Sequence, residues 1–214
     1  LGSFWGYTFA GVWQEDDVNA PFVDANGQTN GKTNGEVYKV KPGNSKYVDV
    51  NKDGVYNDAD QGIIGCGQPT FNWGWNNTFN YKNFDFSFFV VGFHGFDIYN
   101  ATHQMGYNLI KSQQMAGVTP MREVLNRWTP TNTNTDIPGF VKGGTENKDF
   151  FSTRFVENGS FIKMKSITLG YTLPEATCRS LGINNLRVYA SVQNPFHITK
   201  YSGLDPEATM GSPL

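Results

Sequence analysis

Charge is scarce in this sequence. Asp, Glu, Lys and Arg make up 17% of its 214 residues, and the formal net charge is -2. A chain so nearly neutral has no electrostatic reason to hold a nucleic acid or an anionic membrane surface. Cysteine is scarce too. Cys66 and Cys178 lie far apart, and the sequence leaves open whether they pair. No Cys-x-x-Cys or Cys/His zinc spacing occurs. His94, His103 and His197 lack the His-Glu-x-x-His arrangement, and Asp136, Glu146, Glu157 and Asp205 are scattered. No catalytic constellation emerges, so the expectation is a protein that is not an enzyme. No run of eighteen apolar residues exists, which excludes a membrane-spanning helix. Leu1-Gly2-Ser3-Phe4 does not read as a secretory signal, so the expectation is a processed or internal stretch.

Rings and turns are plentiful. Aromatic residues reach 15%, glycine numbers 24, and asparagine recurs throughout. This mixture suits many strands joined by turn-rich loops. It also suits an outer-membrane barrel, greasy towards lipid and polar towards its lumen. From Phe4 to Trp13, Trp5, Tyr7, Phe9 and Trp13 share one face, and the spacing predicts a strand over 4–13. Residues 15–41 carry three Asn-Gly pairs and read as a long loop or small hairpins. The glycines from Gly62 to Gly67 lack the strand before and helix after that a phosphate loop needs.

The plainest pattern lies between Thr70 and Gly92. Phe71, Trp73, Trp75, Phe79 and Tyr81 alternate with Asn72, Gly74, Asn76, Thr78 and Asn80. Lys82-Asn83 is a two-residue turn, after which Phe84, Phe86, Phe88 and Val90 oppose Asp85 and Ser87. Strands are expected over 70–81, 84–92, 160–173 and 185–194, with Pro174 and Pro195 as stops. Residues 93–159 lose the alternation and read as a long extracellular loop region, with one short helix over 120–128. Short and long connections alternate, as in transmembrane barrels. The expected fold is therefore all-β: an incomplete antiparallel transmembrane β-barrel portion with long extracellular loops. Trp73, Trp75, Phe79, Phe86, Phe88, Ile167, Leu169, Val188 and Val192 are expected to face lipid. Asn72, Asn76, Asp85, Thr168, Arg187 and Gln193 are expected to face the lumen.

One stretch carries ion chemistry. From Asp49 to Asp60, side-chain oxygens stand at places one, three, five, nine and twelve: Asp49, Asn51, Asp53, Asn57 and Asp60. Gly54 takes place six, where a calcium loop turns sharply, and Val55 at place seven offers its carbonyl. A hard cation wants six to eight oxygens, and this spacing supplies them from one loop. The expected ion is calcium, in a structural role. The competing reading is a polar turn, since Asn, Asp and Gly favour turns without metal.

Several segments together resemble the carboxy-terminal barrel of SusC/RagA-type TonB-dependent outer-membrane transporters. These are the loop from Asp49 to Asp60 with Ile64-Gly65 and Pro69, Asn126-Arg-Trp128-Thr-Pro130, and Glu157-Asn-Gly-Ser160 through Tyr171. Val188-Tyr189 to Gln193-Asn194, Thr199 through Glu207, and Trp5-Gly6-Tyr7 to Gln14 complete the match. The order and spacing agree over nearly the whole chain. The resemblance implies residence in the outer membrane, a lipid bilayer around the strands, a SusD-like surface lipoprotein as partner, and energy from TonB. It implies import of glycans or peptides and no nucleic acid. About five strands cannot close a barrel, because open edges leave backbone groups that lipid cannot satisfy. The alternative is a soluble extracellular β-module, stapled by calcium and binding carbohydrate; a dockerin-like version would need a second copy of the loop.

Overall fold

In the computed structural model, which describes residues 2–107, 120–140 and 150–209, the first alternating stretch is broken in two. β1 (Ser3–Tyr7) and β2 (Phe9–Val12) stand where one strand over 4–13 was expected. The turn-rich stretch that follows contains α1 (Glu15–Asn19), the hairpin of β3 (Pro21–Val23) with β4 (Thr29–Thr33), and α2 (Asn34–Tyr38). The hairpin was legible from the Asn-Gly pairs; the two helices were not. α2 holds at five residues because Thr33 and Glu36 form a reciprocal capping box. β5 (Ser45–Tyr47) pairs with β2, and β6 (Gln61–Cys66) pairs with β1. These different partners explain the break at Thr8. The glycine cluster is thus a strand, with Gly62 and Gly65 opposite Gly6 and Phe4.

β7 (Phe71–Tyr81) and β8 (Phe84–His94) form the hairpin that alternation predicted. Lys82 makes its turn in the left-handed region, with φ 53°. The loop region expected over 93–159 holds β9 (Asp97–Tyr99), α3 (Ala101–Tyr107), and β10 (Val156–Asn158). The helix expected over 120–128 is a single 3-10 turn, Arg122–Asn126. Met121 caps it without a side-chain hydrogen bond, and Pro130 follows closely, so nothing propagates an α-helix. Glu146 lies outside the described residues.

β11 (Phe161–Thr172) and β12 (Arg187–Thr199) complete a four-stranded antiparallel sheet in the order β12-β11-β8-β7, with α4 (Glu175–Ser180) between them. Pro195 does not end β12, as expected from sequence. Between Gln193 and Phe196 the register slips, and Asn194 and Pro195 lie opposite the single residue Lys165. Asn194 takes a left-handed conformation, φ 49°. A bulge leaves residues outside the ladder, so a proline without an N–H is tolerated there. α5 (Pro206–Thr209) follows the sheet.

The chain forms two compact units: residues 1–66 with 99–157, and residues 67–98 with 158–214. In the first, Tyr7, Trp13, Phe22, Tyr47, Val124 and Phe155 are buried. In the second, Val91, Phe96, Ile98 and Phe161 form a small core, with Phe93 and Tyr201 packed against it. The sheet of this unit is open along β7 and β12 among the described residues.

Candidate functional site

The loop from Asp49 to Asp60 is built from backbone upward. Gly54 has φ 82°, which L side chains rarely adopt, and it lies under Val37 of α2. The turn brings Asn51, Asp53, Val55 and Asn57 together. Asn51 Nδ2 donates to Asp53 Oδ2 at 2.9 Å, and Asn57 Nδ2 donates to the same oxygen at 3.1 Å. Asn57 Nδ2 also donates to the Val55 carbonyl at 3.2 Å. Asp53 Oδ1 accepts from the Val55 N–H at 2.8 Å. The Val55 N–H, then the Asn51 and Asn57 amides, hold the Asp53 carboxyl below the usual carboxylate range.

Asp49 and Asp60 stand differently. Asp49 Oδ2 accepts from the Gly54 N–H and from the Tyr38 hydroxyl, both at 2.8 Å. Asp49 Oδ1 is buried with no hydrogen-bond partner. Asp60 is 3% exposed and spends its carboxylate on the backbone. Its Oδ1 accepts from Val50 N at 2.8 Å and its Oδ2 from Asn57 N at 3.0 Å. Asp60 is therefore the clasp that joins the two ends of the loop. Asn57 Oδ1 caps the 3-10 turn Asp58–Asp60 through Ala59 N at 2.8 Å.

Among the described residues, no three His, Cys, Asp or Glu side chains gather as a metal group. An ion here would rest on Asp49 and Asp53 together with the amide oxygens of Asn51 and Asn57 and the Val55 carbonyl. The donor set fits a hard cation in kind: every donor is oxygen, and one buried carboxylate oxygen lacks a partner. Calcium bound there would supply positive charge that draws these oxygens together, and no reaction.

Sequence reasoning missed the aromatic bed beside the loop. Tyr38 stacks on Tyr56 at 5.2 Å and lies against Trp13 and Phe22. Tyr47 meets Tyr56 and Phe150 edge-on. Burial pushes the Tyr56 phenol up to about 12, and burial with the Asp49 hydrogen bond raises Tyr38 further. A cleft of about 270 Å³ opens among Tyr38, Tyr47, Tyr56, Val37, Val55 and Phe150. A signal existed in sequence: Tyr38, Tyr47 and Tyr56 recur every nine residues around the loop.

The sheet sorts its side chains as alternation predicted. Phe79, Phe86 and Leu169 lie in one cross-strand row, and Phe88, Ile167 and Val192 in the next. Trp73, Trp75 and Val188 share that face by the same register. Its residues are open: Trp75 and Phe79 are each 56% exposed, Leu169 50% and Val192 54%. On the other face, Thr78, Ser87, Thr168 and Ser191 form one row of hydroxyls. Asn72, Asn76, Asp85 and Gln193 share that face. Arg187 grips Asp85 there with two hydrogen bonds, 3.0 and 2.6 Å, directly over Gly170.

No protein-family model matches the chain. It is 34% identical over 208 residues to TonB-dependent receptor P3 of Formosa agariphila, covering 97% of this chain and 19% of that protein. TonB-dependent receptor P26 of the same organism is 30% identical, with 96% and 19% covered. TonB-dependent receptor SusC of Bacteroides thetaiotaomicron is 32% identical, with 80% and 16% covered. The chain thus spans about one fifth of the length of these curated relatives. In structure it is similar to a chain of the RagAB peptide transporter, with a TM-score of 0.67, 22% identity, and 96% of this chain and 20% of that chain covered.

Proposed function

Because the chain belongs to the TonB-dependent receptors of the SusC/RagA type over the part of their length it matches, we propose that it supplies one wall of an outer-membrane barrel that imports a nutrient. The observation that carries this reading is the two-faced sheet. Its apolar face is exposed, interrupted at Asn77, and its other face carries hydroxyls and amides together with the Asp85–Arg187 pair, Lys163 and Phe89. A soluble module would bury Trp75, Phe79, Leu169 and Val192 or cover them with charge. A lipid bilayer accepts them as they stand. The carbohydrate-binding alternative has the aromatic cleft in its favour, but it leaves that face without a partner.

On this reading the Lys82-Asn83 turn and α4 lie on the periplasmic side. The Asp49–Asp60 loop and the region around α3 lie outside. The cargo is a glycan or a peptide, delivered with a SusD-like lipoprotein and taken up with energy from TonB. The loop is a calcium staple that fixes one extracellular segment. Two arginine substitutions test the wall. Leu169→Arg should cost about 2–4 kcal/mol of folding into a bilayer, because it puts a guanidinium against acyl chains. Thr168→Arg, one residue away, should be tolerated. Equal effects would overturn the face assignment.

A further inference from the structure

The polar face of the sheet carries two lysines, both paired with carboxylates. Lys163 and Lys165 of β11 would ordinarily be followed by a residue on the opposite face. The bulge at Lys165 instead returns Ser166 to the row of Gln193, so three polar residues crowd one place. Lys163 is 5% exposed. Its ammonium is held by Asp205 and Glu207, each at 2.7 Å, and Glu207 also bonds Lys165. Both carboxylates come from a strap after β12. Pro206 between them is fully buried, and Tyr201 anchors the strap on the small core.

We propose that Lys163 and Lys165 are a binding site for acidic peptides, occupied here by the protein's own Asp205-Pro206-Glu207. This rests on the reading of that face as a lumen wall. The site takes carboxylates because it already holds two, Asp205 and Glu207, spaced two residues apart and brought together by the turn that opens α5, where the Glu207 N–H donates to Asp205 Oδ1 at 2.9 Å. The same face also carries hydroxyls and amides, the rings of Phe89 and Tyr189, His197, and Asp85 and Arg187, which neutralise each other. An incoming peptide with two carboxylates at that spacing can replace the strap bond for bond. Protons do not open the strap near neutral pH. Burial is the largest influence and raises Asp205 and Glu207, but the hydrogen bonds and charge of Lys163, joined by the Glu207 N–H at Asp205 and by Lys165 at Glu207, together leave both below the usual carboxylate range. Displacement must come from another anion.

The test uses the intact receptor in detergent and the acetylated, amidated peptide Leu-Asp-Pro-Glu-Ala, with Leu-Asn-Pro-Gln-Ala as control. Calorimetric titration should give an affinity at least tenfold tighter for the Asp205→Asn/Glu207→Gln receptor than for wild type, since the internal competitor is gone. Adding Lys163→Met should abolish binding, and the control peptide should not bind. Absence of binding to the double variant, or unchanged affinity after Lys163→Met, overturns the proposal. So does binding of an oligouronate with none of the peptide. Should the double variant fail to fold, hydrogen exchange on wild type decides. Amides of 201–209 should exchange several-fold faster with saturating peptide, and unchanged exchange overturns the proposal. The detergent measurement does not depend on which face meets lipid, so its failure is separable from failure of the arginine pair.

Discussion

Tyr38 shows how one residue joins loop chemistry to packing. Its hydroxyl bonds Asp49 while its ring stacks on Tyr56. Tyr38→Phe keeps the ring and removes the hydrogen bond, leaving Asp49 Oδ2 with only the Gly54 N–H. A bond to a charged group contributes about 1.5–3 kcal/mol. A thermal melt of the variant should show destabilisation of that order, and calcium should bind it more weakly. A melt and a calcium titration identical to wild type would remove Tyr38 from the site. Tyr56 gives a pH test. Its phenol is raised to about 12 from an ordinary value of about 10. Between those values the unfolded chain releases a proton that the folded chain keeps. The contribution is complete below pH about 10 and is lost as pH rises through about 12. Absorbance of phenolate should appear late and together with loosening of the loop. A transition complete near pH 10 would contradict the burial. That Asn51, Asp53, Val55 and Asn57 gather in one turn was legible because their spacing is local. Tyr38 was not, because its contact depends on α2 folding back.

At the scale of elements, legibility followed the regularity of the ladder. The faces of β7 and β8 were legible because the two strands keep one register from end to end, although Asn77 falls on the apolar face and Phe89 on the polar one. The end of β12 was not, because a stop rule for proline assumes a paired strand, and Pro195 lies in a bulge. The helix over 120–128 was overextended, since apolar spacing cannot reveal the absence of a cap. Two glycines test the packing. At Gly170 a new Cβ would collide with Asp85 and Arg187, whereas at Gly62 it would meet nothing within 4 Å. Gly170→Ala should lower the unfolding midpoint by forcing the ion pair apart. Gly62→Ala should stay within about 0.5 kcal/mol. Urea unfolding from bilayers distinguishes them, and equal midpoints would mean the fork over Gly170 is not held.

At the scale of the whole chain, the two compact units hold themselves together by different means. Unit two relies on long ladders: β11 pairs with β8 and β12 along nearly its full length. Unit one relies on strands of three to six residues and a bed of rings, so its order depends more on local cross-links. If calcium staples the Asp49–Asp60 loop, removing it should act on one unit only. Extracellular calcium modules work with dissociation constants of about 10⁻⁴–10⁻³ M. At a hundredfold excess of calcium over the tighter value, bound ion stabilises the loop by about 2.7 kcal/mol. That corresponds to roughly a hundredfold slowing of amide exchange where the loop opens locally. Exchange of the intact receptor should be followed in about 10 mM calcium, which is that hundredfold excess, and then in a chelator. Amides of 49–60, of α2 and of the β3–β4 hairpin should exchange much faster in the chelator, since α2 touches the loop through Val37 and Tyr38. Amides of β7, β8, β11 and β12 should not change. Asp53→Ala should erase the difference, because it removes the carboxylate on which Asn51, Val55 and Asn57 converge. Identical exchange with and without calcium would leave the loop a hydrogen-bonded turn. Equal acceleration in both units would mean the chelator weakens the protein generally.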